Sequence, residues 1–210
     1  LQEKLPELES KLVCIPNMLD AVAIGQKAGN SPYTGDMLHI VSVGRLAPEK
    51  HFENIIPVAK MLRDMSTDFV WHIVGDGSEQ ARLESLIVEN DLKDHVILDR
   101  SKTNPYPYMK YADLFVHPSY VESQGLTVLE AMALGVPCVV TKSRGPCEFI
   151  EDGVNGLLTE QSPESLAEEV LAILNDKKLY QHIKENTKCP EQFGPERVIK
   201  QIETMIDGEM

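Results

Sequence analysis

The chain has 210 residues, of which 42% are hydrophobic, with four cysteines and a formal net charge of −13. Such acidity argues against a nucleic-acid partner, and the cysteines lack the C-x-x-C spacing of metal or redox sites, which fits reduced thiols in a cytosolic protein. No apolar run approaches the roughly 18 residues needed to span a bilayer, and the opening residues do not read as a signal peptide.

The chain starts at Leu1 rather than Met, in a polar helical stretch (1–10), and is therefore expected to be part of something longer. Residues 11–17 predict a short strand ending in a turn, and 20–36 a polar, glycine-containing loop. Residues 38–44 are apolar and β-branched and end in glycine, the pattern of a buried strand. Helical spacing follows over 52–63, with Pro57 tolerable only in a first turn. A strand over 69–75 closes on Gly75-Asp76-Gly77, and a helix over 79–90 comes next. Short strands at 96–98 and 114–117 flank a short helix at 106–112. A helix over 126–134 is stopped by Gly135 and Pro137, and a strand over 137–141 follows. A turn at 153–156 leads into a last short strand, and helices at 163–175, 177–186 and 195–206 finish the chain. Strand and helix alternate at βαβ spacing, so the expected fold is α/β, a Rossmann-like, doubly wound parallel sheet. Ligands of such sheets sit outside the carboxyl ends of the strands.

The segment from Glu122 to Glu130 carries the sharpest chemistry. A helix that opens just after a glycine, here at Leu126, presents unbonded N–H groups and the positive end of its dipole, a site for a diphosphate. Two carboxylates beside it repel phosphate but accept protons from hydroxyl groups. An anion next to a polyhydroxylated group describes a sugar nucleotide. Arg45 and Lys50, after the strand-terminal Gly44, supply a planar fork and a compact charge for that diphosphate. The competing reading is a solvated turn in which Lys50 pairs with Glu49 or Glu53. Glu130 reads as an acceptor for ribose hydroxyls or as a water-exposed partner of the helix dipole. His117 ends a strand beside the cleft, where a structural role is favoured. Gly75-Asp76-Gly77 reads as a tight turn, since the dinucleotide glycine fingerprint and the P-loop pattern are both missing. No D-x-D exists to hold a divalent metal on a diphosphate, so no metal and no cofactor are expected.

Gly44-Arg45 with Lys50, Ala112 to Ser119, Glu122-x7-Glu130 continuing to Pro137, and Gly145-x2-Glu148 continuing to Gly156 together resemble the retaining GT-B glycosyltransferases of the group 1 type, family GT4. Pro16-Asn17-x2-Asp20 resembles the interdomain signature of the same enzymes. The match runs in order over roughly residues 11–175. The resemblance implies one half of a GT-B fold and a donor site for a UDP- or GDP-sugar. Glu122, Arg45 and Lys50 are then the expected catalytic residues: the two cations bind the leaving diphosphate and Glu122 grips the donor sugar. The donor set is Gly44, Arg45, Lys50, Arg100, Ser101, Glu122, Ser123, Gln124, Gly125, Leu126, Thr127 and Glu130, with Arg100 and Ser101 flanking the base and Glu130 on the ribose. Retention implies front-face attack, with a covalent route through a carboxylate as the rival. Three positions depart from the family pattern: Gln124, often aromatic; His51, commonly glycine; and Asp99-Arg100, frequently with a glycine.

The resemblance also implies a division of the chain. Residues 1–15 would end an N-terminal acceptor domain and its linker, 16–190 would form the donor domain, and 191–210 a helix crossing back to the absent domain. The acceptor would be a sugar, polysaccharide or lipid-linked chain, and the whole enzyme cytoplasmic, with peripheral association at the inner face of the membrane as a further expectation. The alternatives are a nucleotide-sugar epimerase-like domain and a non-catalytic nucleotide-sugar-binding domain.

Overall fold

A computed structural model of the chain describes residues 13–100 and 102–207. Six strands form one parallel sheet: β1 (Leu38–Val43), β2 (Phe69–Val74), β3 (Val96–Asp99), β4 (Leu114–His117), β5 (Cys138–Thr141) and β6 (Leu157–Thr159). Their spatial order is β3-β2-β1-β4-β5-β6, and every neighbouring pair is parallel. The order reverses between β1 and β4, which pair through Ile40 with Leu114 and Val41 with Phe115. A parallel sheet with this order is the doubly wound, Rossmann-like arrangement, and the crevice at its reversal is where such sheets bind ligands.

The strands read as near-continuous apolar runs because both faces are covered. On one face Ile40, Trp71, Ile73, Leu114, Val116 and Val139 join a core built with helices α2 (Ile55–Asp64), α3 (Gln80–Glu89) and α6 (Pro163–Asn175). On the other, α5 (Leu126–Ala133) lies against β4 and β5, and α1 (Ala21–Lys27) and α4 (Tyr106–Lys110) pack beside it. One polar chain crosses the core. The buried indole N–H of Trp71 donates to Ser42 Oγ at 3.1 Å, and that hydroxyl donates to the carbonyl of Val116 at 2.6 Å, so three strands share a satisfied set of polar groups. Ser162 caps α6 by accepting from the Ser165 amide, and Asp176 caps α7 (Lys177–Asn186) by accepting from the amides of Lys178 and Leu179.

Two expectations along the chain are corrected. Residues 21–27, expected as loop, form α1, because Ile24 and the following Ala28 have a buried place to go, and that packing overrides the cost of Gly25. The strand expected over 11–17 does not form over its described part, 13–17, where Val13 is exposed; residues 11 and 12 lie outside the described residues, as does the polar stretch 1–10. Pro57 does fall in the first turn of its helix, which starts at Ile55 after a 3₁₀ turn over Phe52–Asn54.

The chain divides into two compact units, one spanning Ala21–Cys189 and the other made of the described parts of Leu1–Asp20 with Pro190–Met210. In the second, the Leu19 amide bonds the carbonyl of Phe193, and α8 (Pro195–Ile206) exposes Ile199, Ile202, Met205 and Ile206.

The loops after β1 and β2 touch backbone to backbone. A Cβ on Gly75 would lie 1.9 Å from the carbonyl oxygen of Gly44. The Leu46 amide donates to the Asp76 carbonyl at 2.8 Å, and the Glu79 amide to the Leu46 carbonyl at 3.0 Å. Gly75-Asp76-Gly77 thus does more than turn the chain: it holds the Arg45 loop in place. Gly75→Ala should therefore lower stability by about 2–4 kcal/mol in urea unfolding, and an unchanged midpoint would show that the two loops do not meet as described.

Candidate functional site

The site assembles at the carboxyl ends of β1 and β4. After β1 the chain runs through Gly44 and Arg45 to a 3₁₀ turn over Pro48–Lys50. His51 follows at φ 48°, ψ 40°, the left-handed conformation. A glycine takes that backbone without strain, while histidine is among the side chains that tolerate it. Its ring stacks on Tyr120 with centroids 3.8 Å apart, which ties the β1 loop to the β4 loop. Buried Ser119 adds to the tie, with its hydroxyl 3.2 Å from the Glu49 carbonyl.

Glu122 is the centre of the arrangement. Its Oε2 accepts from Lys50 Nζ at 2.5 Å and from His117 Nε2 at 3.1 Å. His117 is fully buried, and burial pushes its imidazole below its ordinary pKa, against the opposing pull of Glu122. The neutral ring with its proton on Nε2 is the form that donates to the carboxylate. Burial alone would raise the Glu122 carboxyl, but the hydrogen bonds from His117 and Lys50 outweigh it and bring the pKa down to about 2. The local alternatives for Lys50 are thus set aside: its partner is Glu122, 72 residues away in sequence, and Glu49 pairs with Arg45 instead. That Arg45–Glu49 pair is 2.7 Å long and lies in water, with the Arg45 side chain 72% exposed.

The turn from Glu122 to α5 presents the helix start. Gly125 caps α5 at φ 77°, a left-handed backbone that a side chain would strain. The Val128 amide makes the first internal bond, to the Gly125 carbonyl, so the amides of Leu126 and Thr127 precede it and point out of the helix end. The Gly145 amide donates to the Glu122 carbonyl at 3.0 Å and fixes this turn from the β5 side. Ser123 and Leu126 are exposed, and Gln124 and Thr127 half-buried. Glu130, one turn into α5, is half-buried and not a water-exposed dipole partner: the Tyr106 hydroxyl donates to its Oε1 at 3.0 Å. Burial raises the Glu130 carboxyl, and the Tyr106 bond opposes that rise.

A hollow of about 230 Å³ opens beside Arg45, lined also by Gly44, Gly75, Asp76, Lys102 and Pro105. Lys102 Nζ lies 3.2 Å from Asp99 Oδ1, and Asp99 Oδ2 bonds His72 Nδ1 at 2.8 Å. Arg100 is exposed on the loop after β3, and Ser101 lies outside the described residues. Two further side chains join the site: Lys102, next to the Arg100–Ser101 segment, and Tyr106, which no motif in the sequence marks. His117, for which a structural role is favoured, is buried and reaches Glu122 five residues on. A larger hollow, about 500 Å³, lies at the opposite ends of the strands, beside Leu38, His39 and Asp113. The carboxyl-end hollow, not the larger one, adjoins the crevice and the cations. Among the described residues no group of three His, Cys, Asp or Glu side chains is placed to hold a metal ion, and no helix is long and apolar enough to cross a membrane.

Fold and site together define a Rossmann-like α/β domain whose crevice has cations on one lip and a helix start on the other. Residues 30–189 match the model of the family described as glycosyl transferases group 1, and the chain belongs to that family. It is 28% identical over 190 residues to the N-acetyl-alpha-D-glucosaminyl L-malate synthase of Bacillus anthracis, an alignment covering 89% of this chain and 49% of that protein. The chain spans less than half the length of the first curated relatives it matches. Its fold is that of Anabaena HepE, solved in complex with UDP, at TM-score 0.78 and 23% identity over 92% of this chain and 57% of that one. It is also that of Staphylococcus aureus TarM, solved with UDP, at TM-score 0.81 and 22% identity over 99% and 43%. Both are GT-B glycosyltransferases.

The Glu122 pairing makes a pH signature. A carboxyl whose folded pKa of about 2 lies below its ordinary 4.5 contributes stability that is present above the higher value and is lost as pH falls toward the lower one. Because the side chain is partly exposed, solvent screening limits this to ~1–2 kcal/mol. The difference in urea-derived stability between wild type and Glu122→Gln should be full at pH 7 and close as pH drops from 4.5 toward 2. A difference that stays constant over that window would mean that Glu122 is not paired in solution.

Proposed function

We propose that this chain is the donor-nucleotide domain of a retaining group 1 glycosyltransferase. The observation that carries the reading is the joining of Lys50, His117 and Glu122 at the β1–β4 crevice, beside the start of α5. The diphosphate of a UDP- or GDP-sugar draws Arg45 away from Glu49 and Lys50 away from Glu122. Arg45 gives up little, since exposed ion pairs contribute little. Glu122, released from Lys50 but still held by His117, then accepts from hydroxyls of the donor sugar. Glu130 accepts from the ribose, and Lys102 and Arg100 flank the base.

Catalysis follows from charge. The bond between the anomeric carbon and the phosphate oxygen breaks with its electron pair leaving on the nucleoside diphosphate. Arg45, Lys50 and the amides of Leu126 and Thr127 stabilise that pair. The acceptor hydroxyl bonds the anomeric carbon on the same face, and its proton goes to the departing phosphate. This scheme uses no divalent metal, since the cations and the helix start supply the charge. The name of the Bacillus relative, a glucosaminyl L-malate synthase, and the UDP in the HepE structure support a nucleotide-sugar donor. Residues 1–15 and 191–210 belong, in this proposal, to the junction with an N-terminal acceptor domain, and 16–190 to the donor domain. The acceptor is a sugar, polysaccharide or lipid-linked chain, met in the cytoplasm or at the inner face of the membrane.

Titration calorimetry of UDP and GDP against the 210-residue chain tests the reading. Binding of one of them is expected, weakened about tenfold by Arg45→Ala, as for the loss of one bond to a charged group. No heat from either nucleotide would overturn it. A second expectation is equal affinity in EDTA and in millimolar magnesium; an affinity that collapses in EDTA would show that a divalent cation is required.

A further inference from the structure

Glu130 is poised by a residue outside every motif of the sequence. Its carboxylate has two oxygens, each able to accept. Oε1 accepts from the Tyr106 hydroxyl at 3.0 Å, and Tyr106 is the side-chain partner of Glu130 among the described residues. Tyr106 is the first residue of α4, and Pro105 before it lines the hollow that holds Arg45 and Lys102. α4 packs against α5, so the phenol approaches Glu130 from a neighbouring helix. A glutamate has three rotatable torsions, and one bonded oxygen removes most of that freedom.

From this juxtaposition we propose that Tyr106 is a positioning residue for the donor's ribose: by holding Oε1 of Glu130, it turns Oε2 toward the ribose hydroxyls. The proposal rests on the nucleotide-binding reading and names a residue which that reading does not use. The phenol stays protonated and therefore a donor throughout the neutral range, because burial and the Glu130 charge push its pKa up to about 12. Donation to one oxygen also favours the ionised carboxylate, the form that accepts from two hydroxyls at once. Removing only the hydroxyl keeps the ring and its packing, frees the carboxylate to rotate, and reduces its grip on the ribose. The phosphates and the base are not involved, so their contribution to binding stays.

The test compares two ligand pairs on four proteins. UDP and 2′,3′-dideoxy-UDP are titrated against wild type, Tyr106→Phe and the double variant Tyr106→Phe/Glu130→Ala, with Glu130→Ala as its reference and the GDP pair in parallel. Wild type should prefer the ribose form. Tyr106→Phe should bind UDP (or GDP) roughly tenfold more weakly, while the dideoxy analogue binds Tyr106→Phe and wild type alike. In the Glu130→Ala background, the loss of the Tyr106 hydroxyl should cost nothing further. Equal weakening of both ligands would reduce Tyr106 to a general structural role and overturn the proposal, as would undiminished UDP binding by Tyr106→Phe. A wild type that binds nucleotide but does not distinguish the ribose form would overturn it while leaving the diphosphate reading intact. Failure of the wild type to bind any of the four ligands would overturn both. Circular dichroism and urea midpoints of the variants separate lost folding from lost recognition.

Discussion

One oxygen, Oε2 of Glu122, accepts from both the ammonium of Lys50 and the imidazole of His117. Lys50 comes from the loop after β1 and His117 from the end of β4, the two strands that flank the reversal of sheet order. The bond therefore closes the crevice from both sides. A carboxylate at this depth is unfavourable alone, and so is a lysine; each is tolerated because the other is there. Neutral His117 adds a directed bond without adding a second charge that would need compensation. The position of Glu122 also sets the turn into α5, since its carbonyl is held by the amide of Gly145. The placement of the helix-start amides and of the acid just before them thus comes from one short segment.

The second constraint is steric. The loops that bear Arg45 and Asp76 approach so closely that Gly75 has no room for a side chain. The amide–carbonyl bonds through Leu46, whose side chain is buried in the core, then link the β1 and β2 loops. This linkage lies beside the hollow that Gly44, Arg45, Gly75 and Asp76 help to line. Cations are few in so acidic a protein, and Arg45, Lys50 and Lys102 are gathered on this side of the sheet.

Much of this was legible from residue order. Apolar runs ending in glycine mark β1 and β2, and Gly135 and Pro137 mark the end of α5, because local steric rules govern those positions. The same rules fail for α1: with Gly25 inside it, Ala21–Lys27 has little intrinsic preference for a helix and forms where Ile24 can be buried. The Lys50 pairing was not legible. Sequence neighbours Glu49 and Glu53 were the obvious partners, yet the fold delivers Glu122 from 72 residues away and leaves Glu49 to Arg45. Tyr106 lies in a short helix with two prolines around it, Pro105 and Pro107, and nothing in that pattern announces a bond to Glu130. Residue types at the site could be named in advance; which charge meets which could not, because pairing depends on the paths of loops from non-adjacent strands.

The pairings also differ in how readily they open. The Arg45–Glu49 pair stands in water, where side-chain entropy and hydration nearly cancel its attraction, so Arg45 can leave Glu49 at small cost. The Lys50–Glu122 pair is mostly withdrawn from solvent, and separating it without replacement would leave two buried charges. A ligand that brings only an anion satisfies Lys50 and strands Glu122. One that brings only hydroxyls satisfies Glu122 and leaves Lys50 where it is. A molecule carrying both, at the spacing of a phosphate and the sugar attached to it, replaces both partners at once. For the sugar-nucleotide donor proposed above, the internal ion pair would then work as a filter, disfavouring free phosphate and free sugar alike and yielding to the two joined in one molecule.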